Sequence, residues 1–257
     1  MRLIFTVSKS VFKESLQGQL FYGLLVFLAI FLGFCVYISS LSLGEVGRVI
    51  ANTGMLGISL LSLTCTILFG LYSLYQERER NELYVLLSRI PRSHYLLGRF
   101  FGTAAIIALF ALLMGTGIFI LTWFVGKDPF PGIFFQVYMA ALEFSMLLGI
   151  GFFLYTLGVG FTLNSFLTLA VFVLGHSFNE AIESFIALGR YGSPLYLGTI
   201  KVLSYLLPNF DMFDFRLILI HGDTIDMGNL FLASLYGFFY LSMLLLLSIG
   251  WMNRSDI

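Results

Sequence analysis

Long uninterrupted runs of apolar residues alternate along this chain with short polar connections. A helix needs about 20 residues to cross a bilayer, and six of the runs have about this length. They are Phe21–Leu41, Thr53–Tyr75, Phe100–Val125, Phe134–Leu157, Phe161–Phe178 and Gly228–Met252. None alternates as a barrel strand would, and a helix satisfies its own backbone groups in hydrocarbon. The pattern predicts an all-α integral membrane protein with six transmembrane helices in a single domain, residues 1–257.

The composition favours the same fold class. Hydrophobic residues make up 59% of the 257 residues and charged residues 11%, whereas a soluble domain has roughly 25% charged residues. The formal net charge is zero, so electrostatics gives no case for a nucleic acid partner. Both cysteines, Cys35 and Cys65, fall within apolar runs, which indicates neither a disulfide framework nor a metal-binding spacing.

The basic residues outside the apolar runs predict the orientation. Nine of them fall on the side that carries both termini, and five fall on the opposite side. Cytoplasmic connections of membrane proteins carry an excess of Lys and Arg. We therefore predict that both termini lie in the cytoplasm.

The segment before the first run, residues 1–19, combines a basic strip with a broad apolar surface. Arg2, Lys9 and Lys13 are seven and four residues apart, so one face of a helix carries all three. A helix of this kind lies in the interface between lipid headgroups and acyl chains. We predict an N-terminal interfacial helix here; the alternative is a basic segment that only sets the topology.

The connection between the second and third runs, residues 76–99, carries both charge and a short apolar stripe. Residues 77–80 alternate in charge, which indicates either an electrostatic latch for a partner or a solvated helix end. Four apolar residues then recur at a helical spacing of three and four: Leu83, Leu86, Leu87 and Ile90. Pro91 would end such a helix. An apolar stripe flanked by arginines predicts docking onto a soluble partner or onto the membrane surface.

The long connection before the last run, residues 179–227, is too polar to contain a seventh span. Its apolar part, Leu195–Leu207, is short and is interrupted by Gly198 and Lys201. We predict that residues 179–227 form re-entrant or interfacial helices on the outer side. Such backbone is tolerated at membrane depth only where protein surrounds it.

Three ionisable residues in or near the apolar runs are candidates for chemistry. Glu143 lies in the middle of the fourth run, where an ionised carboxylate is costly. His176 and Glu180 lie four residues apart at the end of the fifth run, so they share a helix face. These residues could form a substrate contact, a proton site or an acid–base pair. Alternatively, Glu143 joins helices through Asn164 or a hydroxyl group, and the other two only mark the membrane interface.

The chain has no sequence motif for nucleotide or metal binding. A phosphate-binding loop, G-x-x-x-x-G-K-[S/T], is absent: Leu121 stands in place of the first glycine before Gly126 and Lys127, and Asp128 follows. A third metal ligand near His176 is not visible at a recognised spacing. Without a phosphate-binding loop the chain cannot hydrolyse ATP alone by that chemistry, and we predict that it is not an enzyme; if it takes part in energised transport, the energy comes from a partner or an ion gradient.

Several stretches resemble the ABC-2-type permease family, the transmembrane subunits of type-2 ABC exporters. These stretches are Phe12-Lys-Glu14, Leu41-Ser-Leu-Gly-Glu45, Leu86-Leu-Ser88, Pro91-Arg-Ser93, Tyr95-Leu-Leu-Gly-Arg99, Leu206-Leu-Pro-Asn-Phe210 and Phe213-Asp214. The family usually has Lys where Arg99 stands, and often an acidic residue where Asn52 stands. The motifs are uninformative about the cargo.

The resemblance implies an arrangement and partners. Residues 1–19 would be the elbow helix, and residues 76–99 would carry a coupling helix that fits a groove on a separate ATP-binding subunit. The coupling residues would be Glu79, Glu82, Leu83, Leu86, Leu87, Arg89, Ile90, Pro91 and Arg92. ATP and Mg would bind to that partner. A second permease copy, identical or different, and a bacterial or archaeal cytoplasmic (inner) membrane are also implied.

Two other classes of protein remain open from the sequence. One is an intramembrane enzyme built on Glu143, His176 and Glu180. The other is a membrane assembly factor, for example one that acts in metalloenzyme maturation.

Overall fold

The computed structural model describes residues 2–42, 44–79, 90–127, 130–187, 207–221 and 226–254. Within these residues every regular element is helical, which confirms the predicted all-α fold class. The elements are α1 (Arg2–Gln17), α2 (Gln19–Ser39), α3 (Val46–Cys65), a π-helical segment (Thr66–Tyr72), α4 (Ser73–Glu79), α5 (Arg92–Phe124), α6 (Ile133–Thr156), α7 (Phe161–Ala187), a 3₁₀ turn (Asp211–Phe213), α8 (Arg216–His221) and α9 (Met227–Arg254).

The helices make this a multi-pass membrane protein. Among the described residues, five stretches are long and apolar enough to cross a membrane: Gln19–Ser39, Val46–Glu79, Arg92–Phe124, Ile133–Thr156 and Met227–Arg254. They correspond to five of the six predicted spans. The remaining prediction, Phe161–Phe178, falls in α7, whose described apolar part, Phe161–Ser177, is shorter than the other stretches. The total of six spans therefore stays a prediction.

The second and third spans extend well beyond their apolar runs. Helix α5 has 33 residues and is about 50 Å long at about 1.5 Å per residue, whereas the hydrocarbon core is about 30 Å thick. It begins at Arg92, directly after Pro91, rather than at Phe100. Hydropathy does not detect this extension because its first turns carry polar side chains.

Contacts between helix ends place both termini at the same end of the bundle. The Arg92 guanidinium donates to the Met252 carbonyl near the end of α9, at 2.9 Å. Helix α1 packs against the first turns of α5. We call this end, which also carries the ends of α4 and α5 that flank residues 80–89, the inner end. The opposite end, where Gly126 contacts Gly47, is the outer end.

Helix α6 lies at the centre of the bundle, and α2 lies at its edge. In α6, 67% of the residues in the most apolar stretch are buried, whereas in α2 only 11% of the corresponding stretch is buried. Helix α6 packs against α3, α5, α7 and α9. The polar side chains of Gln136 and Glu143 on α6 are accordingly held inside the bundle.

Helix α1 packs lengthwise against α5 because two glycines leave room for it. A Cβ atom on Gly98 would lie 2.7 Å from Val7 Cβ, and one on Gly102 would lie 2.8 Å from Val11 Cβ. The contacts advance by one turn in both helices, so α1 and the start of α5 run in the same direction. The predicted basic strip, Arg2, Lys9 and Lys13, is exposed on another face. The helix is confirmed, while its position in the membrane interface stays a prediction.

Candidate functional site

A buried ionic cluster joins the inner ends of α4 and α5. The Arg99 guanidinium donates to Glu77 Oε1, and the Tyr95 hydroxyl donates to Glu77 Oε2 at 2.5 Å. Glu77 is 9% exposed, Arg99 3% and Tyr95 2%. Because removing one partner from a buried ion pair leaves an uncompensated charge, this cluster resists separation of the two helices.

The residues of the cluster flank the segment that the sequence predicts to couple to a partner: Glu77 precedes residues 80–89, and Tyr95 and Arg99 follow them. Glu77 is in the last turn of α4, which ends at Glu79, and Tyr95 is in the first turn of α5. The two helix ends that flank residues 80–89 are thus bonded to each other.

Helix α1 forms one wall of a cavity beside the cluster. The cavity has a volume of about 290 Å³, and Ser10 and Glu14 of α1 line it together with Glu77 and Arg99. Arg99 Nε has no hydrogen-bond partner among the described residues. The inner site therefore combines α1 with the ends of α4 and α5.

The structure corrects the interpretation of Glu77 as part of a solvated helix end. Glu77 faces the bundle, and its neighbour Arg78 lies 5.9 Å from the centroid of the Tyr155 ring. Glu79, by contrast, is exposed as expected. Alternating charges in the sequence cannot distinguish these environments, because the burial of Glu77 depends on Arg99, which is distant in sequence.

The predicted coupling residues lie only partly within the described residues. Ile90 packs against the core, Pro91 precedes α5, and Arg92 binds the end of α9. Five others lie outside the described residues: Glu82, Leu83, Leu86, Leu87 and Arg89. The coupling helix itself therefore stays a prediction.

The contact suggested between Glu143 and Asn164 is not formed. Asn164 instead joins α7 to α4 and α6 through a buried network. Its Nδ2 donates to the Tyr75 hydroxyl and to the Gly151 carbonyl, both at 2.9 Å. Its Oδ1 accepts from the Thr168 hydroxyl at 3.2 Å. This network uses the donors and acceptor of Asn164, so Glu143 has a different partner.

That partner is His176, which the sequence grouped with Glu180. His176 Nε2 on α7 lies 3.4 Å from Glu143 Oε1 on α6. The Glu143 side chain is 1% exposed and that of His176 is 28% exposed. The structure thus brings together two of the three residues predicted for an intramembrane polar site. The side chain of Glu180 lies outside the described residues.

The segment Pro208–Phe215 covers His176 from the outer end. The Phe210 ring centroid lies 5.7 Å from that of the imidazole, and the Phe172 centroid lies 4.7 Å away on α7. Backbone N–H groups of the segment donate to surrounding helices: Asn209 to the Tyr236 hydroxyl (3.1 Å), Phe210 to the Gly175 carbonyl (3.3 Å), and Phe215 to Gln136 Oε1 (3.0 Å). Such internal partners are what irregular backbone requires at membrane depth.

The structure describes residues 179–187, 207–221 and 226–227 of the predicted outer connection, and the first of these continue helix α7. The segment Pro208–Phe215 contacts α7 and continues into the short helix α8, while the choice between re-entrant and interfacial backbone stays a prediction. Residues 188–206 and 222–225 lie outside the described residues. Among the described residues, no group of three or more His, Cys, Asp or Glu side chains is placed to hold a metal ion.

The fold and these contacts define a multi-pass helical membrane protein with buried ionic contacts in the bundle. Comparison with known protein families finds no family model that matches the chain, and comparison with curated proteins finds no match either.

Proposed function

We propose that this chain is the membrane-spanning permease subunit of an exporter that a separate ATP-binding subunit drives. The resemblance of residues 76–99 to the coupling segment of ABC-2-type permeases motivates the proposal. The observation that supports it most directly is the Glu77–Arg99–Tyr95 cluster. A segment that transmits force needs rigid ends, and this cluster supplies them for residues 80–89.

The proposed mechanism passes motion from the partner to the spans. ATP and Mg bind to the partner, which moves the coupling segment when its nucleotide sites close. Because the buried ion pair joins α4 to α5, both helices follow the segment together. Helix α1, packed on α5 at Gly98 and Gly102, moves with them. ATP acts by favouring one of two conformations of the permease.

The proposed assembly has six spans, with α7 as the fifth, and a second permease copy beside the first. The membrane is the cytoplasmic membrane of a bacterium or archaeon, with both termini on the cytoplasmic side. The location of both termini at the inner end supports this topology. The excess of basic residues on that side agrees with it.

A purification in mild detergent tests the proposal. We expect the tagged chain to retain a soluble protein with a phosphate-binding loop, in a fixed ratio seen by mass spectrometry. Leu86→Asp should remove this partner, since it places a charge in the predicted docking stripe. ATP hydrolysis by the purified complex should fall together with the amount of partner.

Leu41→Asp is the matched control, because Leu41 is 70% exposed at the outer end and carries the same change away from the coupling segment. It should retain the partner. A chain that purifies alone, or a Leu86→Asp variant that keeps its partner, would contradict the proposal.

The contact between Glu143 and His176 supports a second candidate, an intramembrane enzyme or assembly factor. A carboxylate and an imidazole within 3.4 Å of each other can act as an acid–base pair. This candidate predicts an activity that needs neither ATP nor a partner and that His176→Ala abolishes. The exporter predicts that activity stops when the partner is removed.

A further inference from the structure

The hydrogen bond to His176 Nδ1 determines what the other ring nitrogen offers to Glu143. Nδ1 lies 3.2 Å from the Phe172 carbonyl oxygen, which can only accept. Nδ1 therefore carries a hydrogen. In a neutral imidazole Nε2 then has a lone pair, and this lone pair faces Glu143 Oε1 at 3.4 Å.

An ionised Glu143 beside a neutral His176 would place two acceptors against each other. One proton removes this conflict, either as a carboxylic acid that donates to the imidazole or as an imidazolium that donates to the carboxylate. Both arrangements hold the same number of protons, so the contact requires one proton whichever atom carries it.

Apart from His176, the described residues around Glu143 add negative charge and give no hydrogen bond to its Oε1. Asp214 and Asp211, in the segment before α8, lie close enough to act on Glu143 with the same sign of charge. The cation nearest to them in sequence, Arg216, binds Asp214 at 3.2 Å. On α9, the Tyr236 hydroxyl accepts from the Asn209 backbone.

The geometry points to a proton-binding site: Glu143 and His176 hold one proton between them, and loss of that proton opens the segment Pro208–Phe215. Deprotonation leaves a buried charge without a partner, which is costly until water reaches it. Water can enter where Phe210 covers the imidazole. Phe210 also bonds to Gly175, one residue before His176, so its departure releases the segment from α7. The proton site does not depend on whether an ATPase partner exists.

Thiol accessibility as a function of pH tests the site in the full chain in lipid nanodiscs. The background variant is Cys35→Ser/Cys65→Ser, and Asn209→Cys adds a single thiol next to Phe210. Asn209 Oδ1 has no hydrogen-bond partner among the described residues, so its removal should cost little. We expect alkylation of this thiol by a polar maleimide to increase about tenfold as the pH rises through the titration of the pair.

Two controls separate this effect from the ordinary pH dependence of thiols. Leu41→Cys in the same background reports the intrinsic increase, because Leu41 is 70% exposed at the same end of the bundle. The alkylation rate of the Asn209→Cys variant is therefore divided by that of the Leu41→Cys variant. Adding Glu143→Gln, which keeps the shape of the protonated acid and cannot lose the proton, should make this ratio independent of pH. A ratio that is flat with Glu143 present, or that rises equally after the Glu143→Gln change, overturns the inference.

A second measurement needs no thiol variant. At neutral pH the proton should appear either as an infrared carboxylic-acid band that Glu143→Gln removes or as an imidazolium ¹⁵N signal that His176→Gln removes. Exchange of either residue should shift the titration of the other. Glu45→Gln, whose side chain is 65% exposed, should change neither signal. Absence of both signals at neutral pH, or independent titration of the two residues, overturns the inference.

Discussion

The carboxylates of Glu77 and Glu143 are both buried, but they differ in how well a negative charge on them would be paired. Glu77 is bonded to a guanidinium and a hydroxyl group, so its ionised form is paired. Glu143 is more deeply buried, and its Oε1 has no hydrogen bond from the described residues and an imidazole nitrogen at 3.4 Å. Since a buried charge is tolerated only when it is paired, Glu77 is suited to a permanent structural contact. Glu143 is suited to a change of protonation.

Arg99→Ala tests the structural role of the inner ion pair. The change leaves Glu77 buried without its cation, which costs about 3–5 kcal/mol. We expect the Tm in detergent to fall by about 10 °C. The double variant Glu77→Gln/Arg99→Met should recover most of this loss, because no unpaired charge remains.

The control for this prediction is Arg48→Ala. Arg48 pairs with Glu45 at 3.3 Å, but both side chains are more than half exposed. Exposed pairs contribute about 0–1 kcal/mol, so the Tm should change little. Equal effects of Arg48→Ala and Arg99→Ala would show that the buried pair is not the stabilising contact.

At the scale of helices, the position of α1 depends on two small residues that α5 presents to it. Gly98 and Gly102 lie one turn apart and allow the backbone of α1 to approach closely. Val11 of α1 is buried in this contact. The apolar residues of α1 therefore pack on a helix as well as facing lipid, which its amphipathic pattern alone does not reveal.

Gly102→Leu should displace α1 from α5. The Cβ of the introduced leucine would lie 2.8 Å from the Ser8 backbone oxygen. This oxygen belongs to the backbone of α1, so it cannot move unless α1 moves. We expect trypsin to cleave at Lys9 and Lys13 several-fold faster in the purified variant. Gly250→Leu is the control, since a Cβ there meets nothing within 4 Å. Equal cleavage rates in the two variants would contradict the packing of α1 on these glycines.

For the whole molecule, the described contacts place both termini at one end, and the basic residues predict that this end is cytoplasmic. The two thiols of the natural chain, Cys35 and Cys65, are buried. Single cysteines introduced at the two ends can therefore report the topology. Suitable reporters are exposed positions on either side of α2.

In intact cells, a membrane-impermeant maleimide should label Leu41→Cys and should not label Lys13→Cys until the membrane is permeabilised. Both variants carry the Cys35→Ser/Cys65→Ser background. Leu41 lies at the outer end and Lys13 on the exposed face of α1. The reverse labelling pattern would place the termini outside and would contradict the exporter topology.

The sequence determined the features that depend on local composition. The spans follow from the length of the apolar runs, because the hydrocarbon core excludes unpaired backbone and charged side chains along the whole run. The exposed strip of Arg2, Lys9 and Lys13 follows from the helical period.

The tertiary structure decided which polar residues meet. Glu77 binds Arg99, and Glu143 lies beside His176 rather than Asn164, because each contact joins helices whose rotation and depth are fixed by packing. The π-helical segment Thr66–Tyr72 is likewise not predicted from a hydrophobic run, because the run has the same pattern as an α-helical span. A sequence specifies where a helix crosses the membrane, but the side that a buried carboxylate faces is set only when the helices assemble.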